Sequence, residues 1–232
     1  QISEIYLSDF KISTNFKSKQ IKLKGEGKYS FNNMEFLKFN LENNIYKDAV
    51  DLKLDLDFAE SVEIDYINYK KDKNSIANIS ANLKKEKSKI EINEINFKDK
   101  KDFIKIKGLI FNDNRFISFQ KIDVQTKNNN FFIKKNKKIL IKGSKFDATN
   151  LAKYLKTKNE ENEFKNLNSN IEIDFRNILV PLSEKLQNFK LLGEIKNGQF
   201  VKISSKGDFG GDNYLDISMK KDNKSEKKYL EV

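Results

Sequence analysis

The chain has 232 residues, with 45 Lys and Arg against 34 Asp and Glu, a formal charge of +11, and no His, Cys or Trp. Without His and Cys, the commonest proton shuttle, the thiolate nucleophile and most zinc chemistry are missing, which argues against an enzyme and against a cofactor. The basic residues run along the whole chain, mixed with acids and Asn, rather than forming the patch that a phosphate backbone selects, so no nucleic-acid partner is expected.

Taken in chain order, the sequence is dominated by alternation of apolar and polar residues. Ile2, Ile5, Leu7, Phe10 and Ile12 open it, followed by Ile21 and Leu23 and then Phe36, Phe39 and Leu41. Slips of parity within these runs suggest bulges or strand ends. From Val50 to Phe58 the alternation is unbroken, with Val50, Leu52, Leu54, Leu56 and Phe58 on one parity and Asp51, Lys53, Asp55 and Asp57 on the other. Period two means a strand with one dry and one wet face. Val62, Ile64 and Tyr66 continue that parity.

Further strands are predicted around Ile79 to Leu83, Ile90 to Phe97, Phe103 to Phe111, Phe116 to Val124, Phe131 to Ile133 and Ile139 to Ile141. Others are expected around Ile171 to Phe175, Phe189 to Ile195, Phe200 to Ile203, Leu215 to Met219 and Tyr229 to Val232. Polar links at Asn32-Asn33, Asn43-Asn44, Asn112 to Asn114 and Asn128 to Asn130 read as hairpin turns. Asn197-Gly198 is the most specific of these, because a type I′ turn needs positive φ at both central residues.

One stretch departs from period two. Ala148, Leu151, Ala152 and Leu155 stand at the spacing of a short helix over 147–156, with Asp147 or Thr149 as its cap. A polar loop follows to Asn170, and a second helical turn after Pro181 would use Leu182, Lys185 and Leu186. The whole chain, 1–232, reads as one β architecture: a first sheet portion over 1–142, helix and polar loop over 143–170, and terminal strands over 171–232. With few long crossovers, a meander is expected.

Residues that could carry chemistry have simpler readings. The Asp51, Asp55 and Asp57 row offers carboxylates to calcium, yet Lys53 lies in the same row and a solvated strand face accounts for all four. No Gly-x-Ser-x-Gly elbow or Walker loop is present. The Phe residues fall mostly on the apolar parity of strands, so they belong to a core or lining rather than to base-stacking platforms. No metal site is expected. No segment approaches the roughly 20 apolar residues of a transmembrane helix. The chain begins at Gln1 rather than Met and stops where a strand begins, so a longer parent protein is expected.

Gly143-Ser144-Lys145-Phe146-Asp147 leads into the predicted helix and polar loop. Ile171 to Phe175 follows, then Phe189 through Gly198, a second Gly-containing strand, and Lys228 to Val232. This layout, over about residues 139 to 232, resembles the C-terminal region of AsmA-like proteins, the YhdP and TamB type; residues 1 to 138 match only in strand style. The resemblance implies an elongated, curved antiparallel sheet folded into an open groove, in the periplasm and tethered to the inner membrane by a segment outside this sequence. It carries no catalytic residues. Its partners would be phospholipid or another acyl lipid, the membrane, and possible contact with an outer-membrane protein.

Physical reasoning points the same way, since an apolar sheet face must be covered and few helices are predicted to cover it. The expected groove lining is Val50, Leu52, Leu54, Leu56, Phe58, Ile104, Ile106, Ile171, Ile173, Phe175, Leu191 and Ile195. Two alternatives stay open at this point. One is an envelope assembly factor whose sheet edges pair with client strands; the other is a closed β-sandwich or barrel around a small apolar ligand.

Overall fold

A strand that alternates apolar and charged residues satisfies its backbone by pairing with neighbours and offers one side for burial. The computed structural model describes residues 4–73, 75–151, 167–181, 185–221 and 228–231. They are mainly β, forming a large, mostly antiparallel sheet that does not close into a barrel. The chain divides into two compact units, Gln1–Val62 with Lys71–Ile122, and Glu63–Lys70 with Asp123–Val232.

In the first unit β1 (Tyr6–Lys17), β2 (Gln20–Ser30), β3 (Leu37–Tyr46) and β4 (Ala49–Phe58) form an antiparallel meander. An excursion follows, comprising β5 (Val62–Ile64), a 3-10 turn at Asp65–Ile67 and β6 (Tyr69–Lys71), with β5 and β6 paired as a two-stranded ribbon; its residues Glu63–Lys70 belong to the second unit. The meander resumes on the far edge of β4 with β7 (Ala77–Glu86), β8 (Lys89–Asp99) and β9 (Asp102–Asn112), and β10 (Arg115–Ser118) folds back on β9. Asp113 and Asn114 both have positive φ, 48° and 61°, which matches the right-handed twist of the strands they join.

Bulges explain the parity slips in the sequence. In β8, Ile90 and Ile92 occupy even positions, whereas Ile95 and Phe97 occupy odd ones. An extra residue at Asn93, where pairing with β7 shifts between Asn82 and Leu83, puts all four on one face. In β9 the matching switch, from Ile104 and Ile106 to Leu109 and Phe111, occurs at Gly108, whose φ of 62° suits a residue without a Cβ. The shift between Ser8 and Lys11 in β1 does the same work, with Asp9 at φ 52°.

The second unit contains β11 (Lys121–Gln125) from Asp123 onward, and β12 (Asn130–Lys135), β13 (Ile139–Asp147), β14 (Ser169–Leu179), β15 (Lys185–Lys196), β16 (Gln199–Gly210), β17 (Asn213–Lys221) and β18 (Lys228–Glu231). From β12 to β18 each strand pairs with the next. All of these pairs are antiparallel except β13 with β14, which run parallel. Asn197 and Gly198, at φ 51° and 73°, make the expected hairpin turn between β15 and β16.

Several sequence expectations are corrected. Asn43 and Asn44 are not a turn but lie inside β3, because their neighbours on β2 and β4 continue the ladder on both sides. Tyr66 belongs to the 3-10 turn rather than to a strand. The run from Phe116 to Val124 is two strands, β10 and β11. Lys185 and Leu186 begin β15 and are not helical, and residues 182–184 lie outside the described residues. Of the helix expected over 147–156, Asp147 is instead the last residue of β13; a turn follows in which the Leu151 N–H meets the Ala148 carbonyl at 3.0 Å, and Leu151 is helical. Its remainder lies outside the described residues. The uniform antiparallel expectation fails at β13 and β14.

Glycine also decides packing inside the second unit. A Cβ at Gly143 would stand 2.4 Å from the Asn130 carbonyl oxygen and 2.4 Å from Phe131 Cβ. Gly143 pairs with Phe131 on one side and Phe175 on the other, and their rings meet edge to face with centroids 5.7 Å apart. Gly143→Ala is expected to cost roughly 1–3 kcal/mol by overpacking against backbone, read as a lower urea midpoint at unchanged slope. An unchanged midpoint would show that β12 and β13 are not this close.

Candidate functional site

The antiparallel register of the first unit gathers its apolar parity into rows that cross β2, β3, β4, β7, β8 and β9. One row reads Gly25, Leu41, Leu54, Ala81, Ile95 and Ile106. On one side of it lie Phe39, Leu56, Ile79, Phe97 and Ile104; on the other lie Leu23, Asn43, Leu52, Leu83, Ile92 and Leu109. An end row holds Ile21, Ile45, Val50, Lys85, Ile90 and Phe111. At standard spacings these rows cover about 25 Å across the strands and about 20 Å along them. The opposite parity is polar, as in the row Lys24, Glu42, Lys53, Asn82, Glu94 and Lys107.

The apolar face is only partly shielded. Val50, Leu52, Leu54, Leu56, Phe58, Ile104 and Ile106 are all half-buried, and so are Ile79, Leu83, Ile95 and Phe97 beside them. Among the described residues of this unit, Tyr29 and Ala77 are the only large or small hydrophobic side chains in the buried class. A second layer packed on the face would close the central positions almost completely, as in a sandwich core; lateral neighbours in a single layer leave them half-covered. Lys53 and Asp55 are exposed on the other side, with Asp51 and Asp57 half-buried. Asn78 Nδ2 donates to Asp55 at 3.1 Å and to Asp57 at 3.5 Å, the hydrogen bonding of a wet face. Among the described residues no group of three or more acidic side chains could hold a metal ion.

In the second unit the expected lining divides. Ile171, Phe175 and Ile195 are buried: Ile171 and Ile195 pack with Ile139, and Phe175 stacks on Phe146 at 5.3 Å. Ile173 and Leu191 pair across β14 and β15 and stay half-buried at the border of that cluster. Glu172 and Asp174 lie on the opposite parity, where hydrogen bonds from Lys138 and Lys142 hold the Glu172 carboxyl down at about 2. No known family, curated protein or solved structure matches this chain. Its geometry therefore carries the functional reading.

Two buried polar centres flank these faces: Lys71, which the alternation does not single out, and Asp147, which the sequence marks only as a cap. Lys71, 1% exposed, donates from Nζ to the carbonyls of Ala59, Glu60 and Asp72 at 2.9–3.0 Å and lies 5.8 Å from the centre of the Phe58 ring. Burial pulls its ammonium below the ordinary lysine value, with Asp99, Glu60 and Asp72 opposing that pull. Three carbonyls satisfy three N–H donors, so this is an anchor at one end of the apolar face rather than a nucleophile.

Asp147 is the second centre, also 1% exposed. Its Oδ1 accepts the Thr149 N–H at 3.2 Å and the Thr149 hydroxyl at 2.6 Å, and its Oδ2 accepts from Asn68 at 3.1 Å and Asn128 at 3.0 Å. Asn129 Oδ1 takes the Asp147 N–H, and Asn129 Nδ2 donates to the Ile67 carbonyl at 2.7 Å. These bonds tie the 3-10 turn to the end of β13. The Asx-turn chemistry of Asp147 was legible; its partners, 79 and 19 residues away, were not.

Burial drives the Asp147 carboxyl upward, but the donors from Thr149, Asn68 and Asn128 more than offset this, so it sits below the usual carboxylate range. A lowered folded value means stability that is fully present above about pH 4 and lost as pH falls through the folded value. In Asp147→Asn, an amide NH₂ would face the Asn68 or Asn128 donor. The expected cost is about 1–3 kcal/mol at neutral pH, with a flatter acid limb in pH-dependent urea unfolding. A variant as stable and as acid-sensitive as the parent would remove Asp147 from this role.

Proposed function

We propose that the chain is a non-enzymatic segment of an intermembrane lipid-transport bridge, in which the apolar sheet face serves as the floor of an open groove that shields acyl chains. The carrying observation is the half-buried apolar face of the first unit, several residues deep and six strands wide, with hardly a fully buried hydrophobic residue on it. Such a face in water is unstable without an apolar occupant. An acyl chain crosses half of a hydrocarbon core about 30 Å thick, so a length of about 15 Å fits along the rows. It would gain about 0.8 kcal/mol per buried CH₂, enough to retain a lipid without chemistry. The resemblance to AsmA-like proteins supports the same reading, with the segment in the periplasm, anchored to the inner membrane by sequence outside it and handing lipid to an outer-membrane partner.

A second reading, strand pairing with client proteins, draws on β1. Among the described residues β1 pairs on one side with β2, and Ile12 and Phe16 on it are exposed. Its bulge at Asp9 and its Lys11 and Lys17 are devices that blunt an edge against pairing, so lipid carriage is the stronger reading.

Photo-crosslinking in cells from Leu54, Ile106 and Ile173, with Asp55 as the outward control, tests it. Phospholipid attached from the apolar positions alone is the expected result; equal labelling from Asp55, or none from any apolar position of folded protein, contradicts it. Leu54→Asp is expected to abolish lipid attachment at Ile106 while lowering stability by less than about 2 kcal/mol, because Leu54 is only half-buried. A loss of several kcal/mol, the cost of a charge in a closed core, would favour the sandwich.

A further inference from the structure

In an antiparallel meander successive turns alternate between the two ends of the sheet, and in the first unit the two ends differ. At one end lie the links β1–β2, β3–β4, β7–β8 and β9–β10, aligned by the pairs Lys17 with Gln20, Gln20 with Tyr46, Ala49 with Glu86, Glu86 with Lys89, Lys89 with Asn112 and Asn112 with Arg115. This end carries Lys17, Lys19, Lys47, Lys85, Lys87 and Arg115, all exposed and none in an ion pair with a described residue. The acids facing them are Asp48, Asp113 and Glu86, and Glu86 already has Lys84 as a partner at 3.5 Å. The same end exposes Phe16 at 75%, Phe116 at 46%, Ile117 at 53% and Tyr46 at 38%.

The opposite end is electrically mixed. Lys100 and Lys101 sit between Asp99 and Asp102, Lys73 pairs with Glu60, and Lys71 is buried. That end also exposes Met34 at 78% and Ile76 at 62%, but its charges are balanced; among the described residues of this unit, an excess of cations and exposed aromatic rings coincide at the first end.

We propose that this end of the first unit docks on an anionic lipid bilayer. Aromatic side chains at the tips enter the headgroup layer while the surrounding ammonium and guanidinium groups meet lipid phosphates, the combination that holds interfacial elements on membranes. Lys85 links the tip to the apolar face. It stands in the end row between Val50 and Ile90, so its stem lies along apolar side chains while its ammonium reaches outward to the headgroup level. The face is thereby continuous with the membrane contact, and an acyl chain leaving the bilayer meets apolar rows directly. The choice of a lipid partner rests on the proposed function, but the docking surface stands on its own residues.

Vesicle flotation of the whole chain tests the inference, with phosphatidylcholine vesicles with and without phosphatidylglycerol. Binding is expected only with the anionic lipid, and at least about tenfold weaker for Lys17→Glu/Lys87→Glu. Lys100→Glu/Lys101→Glu, with the same change in charge, is expected to bind like the parent. Phe16→Ser/Phe116→Ser should remove the part of binding that survives high salt. Equal loss for the two lysine pairs would reduce the effect to the net charge of +11 and overturn the proposal. So would equal binding to neutral vesicles, or binding to duplex DNA with none to vesicles. Leu54→Asp separates the two readings: it should still float with anionic vesicles. Lipid crosslinking at Leu54 by a chain that does not float overturns the docking inference and leaves the lipid reading standing.

Discussion

An apolar sheet face in contact with water is the constraint on which the rest of this structure depends. Each half-buried Leu or Ile of the first unit forgoes part of the roughly 25 cal/mol per Å² that complete burial would supply, and no described layer of the unit closes over them. The rows are nevertheless kept intact across six strands. Bulges at Asn93 and Gly108 return the apolar sets of β8 and β9 to the same side, where an unbulged strand would turn half of them to the wet face.

Stability must then come from elsewhere. Backbone ladders satisfy the polar groups of the strands, and the ends of the first unit are fixed by specific polar anchors. Lys71 gathers three carbonyls beside Phe58, and Tyr29 donates its hydroxyl to the Asp57 carbonyl at 2.5 Å. The second unit distributes its burial differently. Ile139, Ile171 and Ile195 form a closed cluster, Phe131, Phe146 and Phe175 pack ring on ring, and Asp147 is saturated with neutral donors. The two units thus use the same strand pattern for different ends: an accessible face in one, a dry cluster in the other.

Most strands were legible because period two is a local property, as Val50 to Phe58 and the Asn197-Gly198 hairpin illustrate. What failed was decided at long range. Asn43 and Asn44 look like a turn in isolation, yet Leu23 and Leu52 flank Asn43 on the two neighbouring strands and hold it in the ladder. The Asn43 side-chain oxygen is buried without a hydrogen-bond partner among the described residues, a cost that local preference would avoid. Parallel pairing of β13 with β14 leaves no mark on either strand's own sequence. In the candidate site, the parity of each lining residue was readable, but whether a second layer covered it was not. Alternation does not separate Leu54, half-buried, from Phe175, closed within its cluster.

In the proposed reading, lipid and not protein covers the apolar face of the first unit. The absence of Cys allows a single nitroxide to be placed at Ala81, which sits between Leu54 and Ile95 in the middle row, with Ser80 on the other face as the reference. Electron paramagnetic resonance of delipidated protein should find the Ala81 label open to dissolved oxygen and mobile, then immobilised on adding an acyl lipid, with Ser80 unaffected. A label at Ala81 that is already immobile and shielded from oxygen in folded, lipid-free protein, and insensitive to lipid, would mean that protein covers the face.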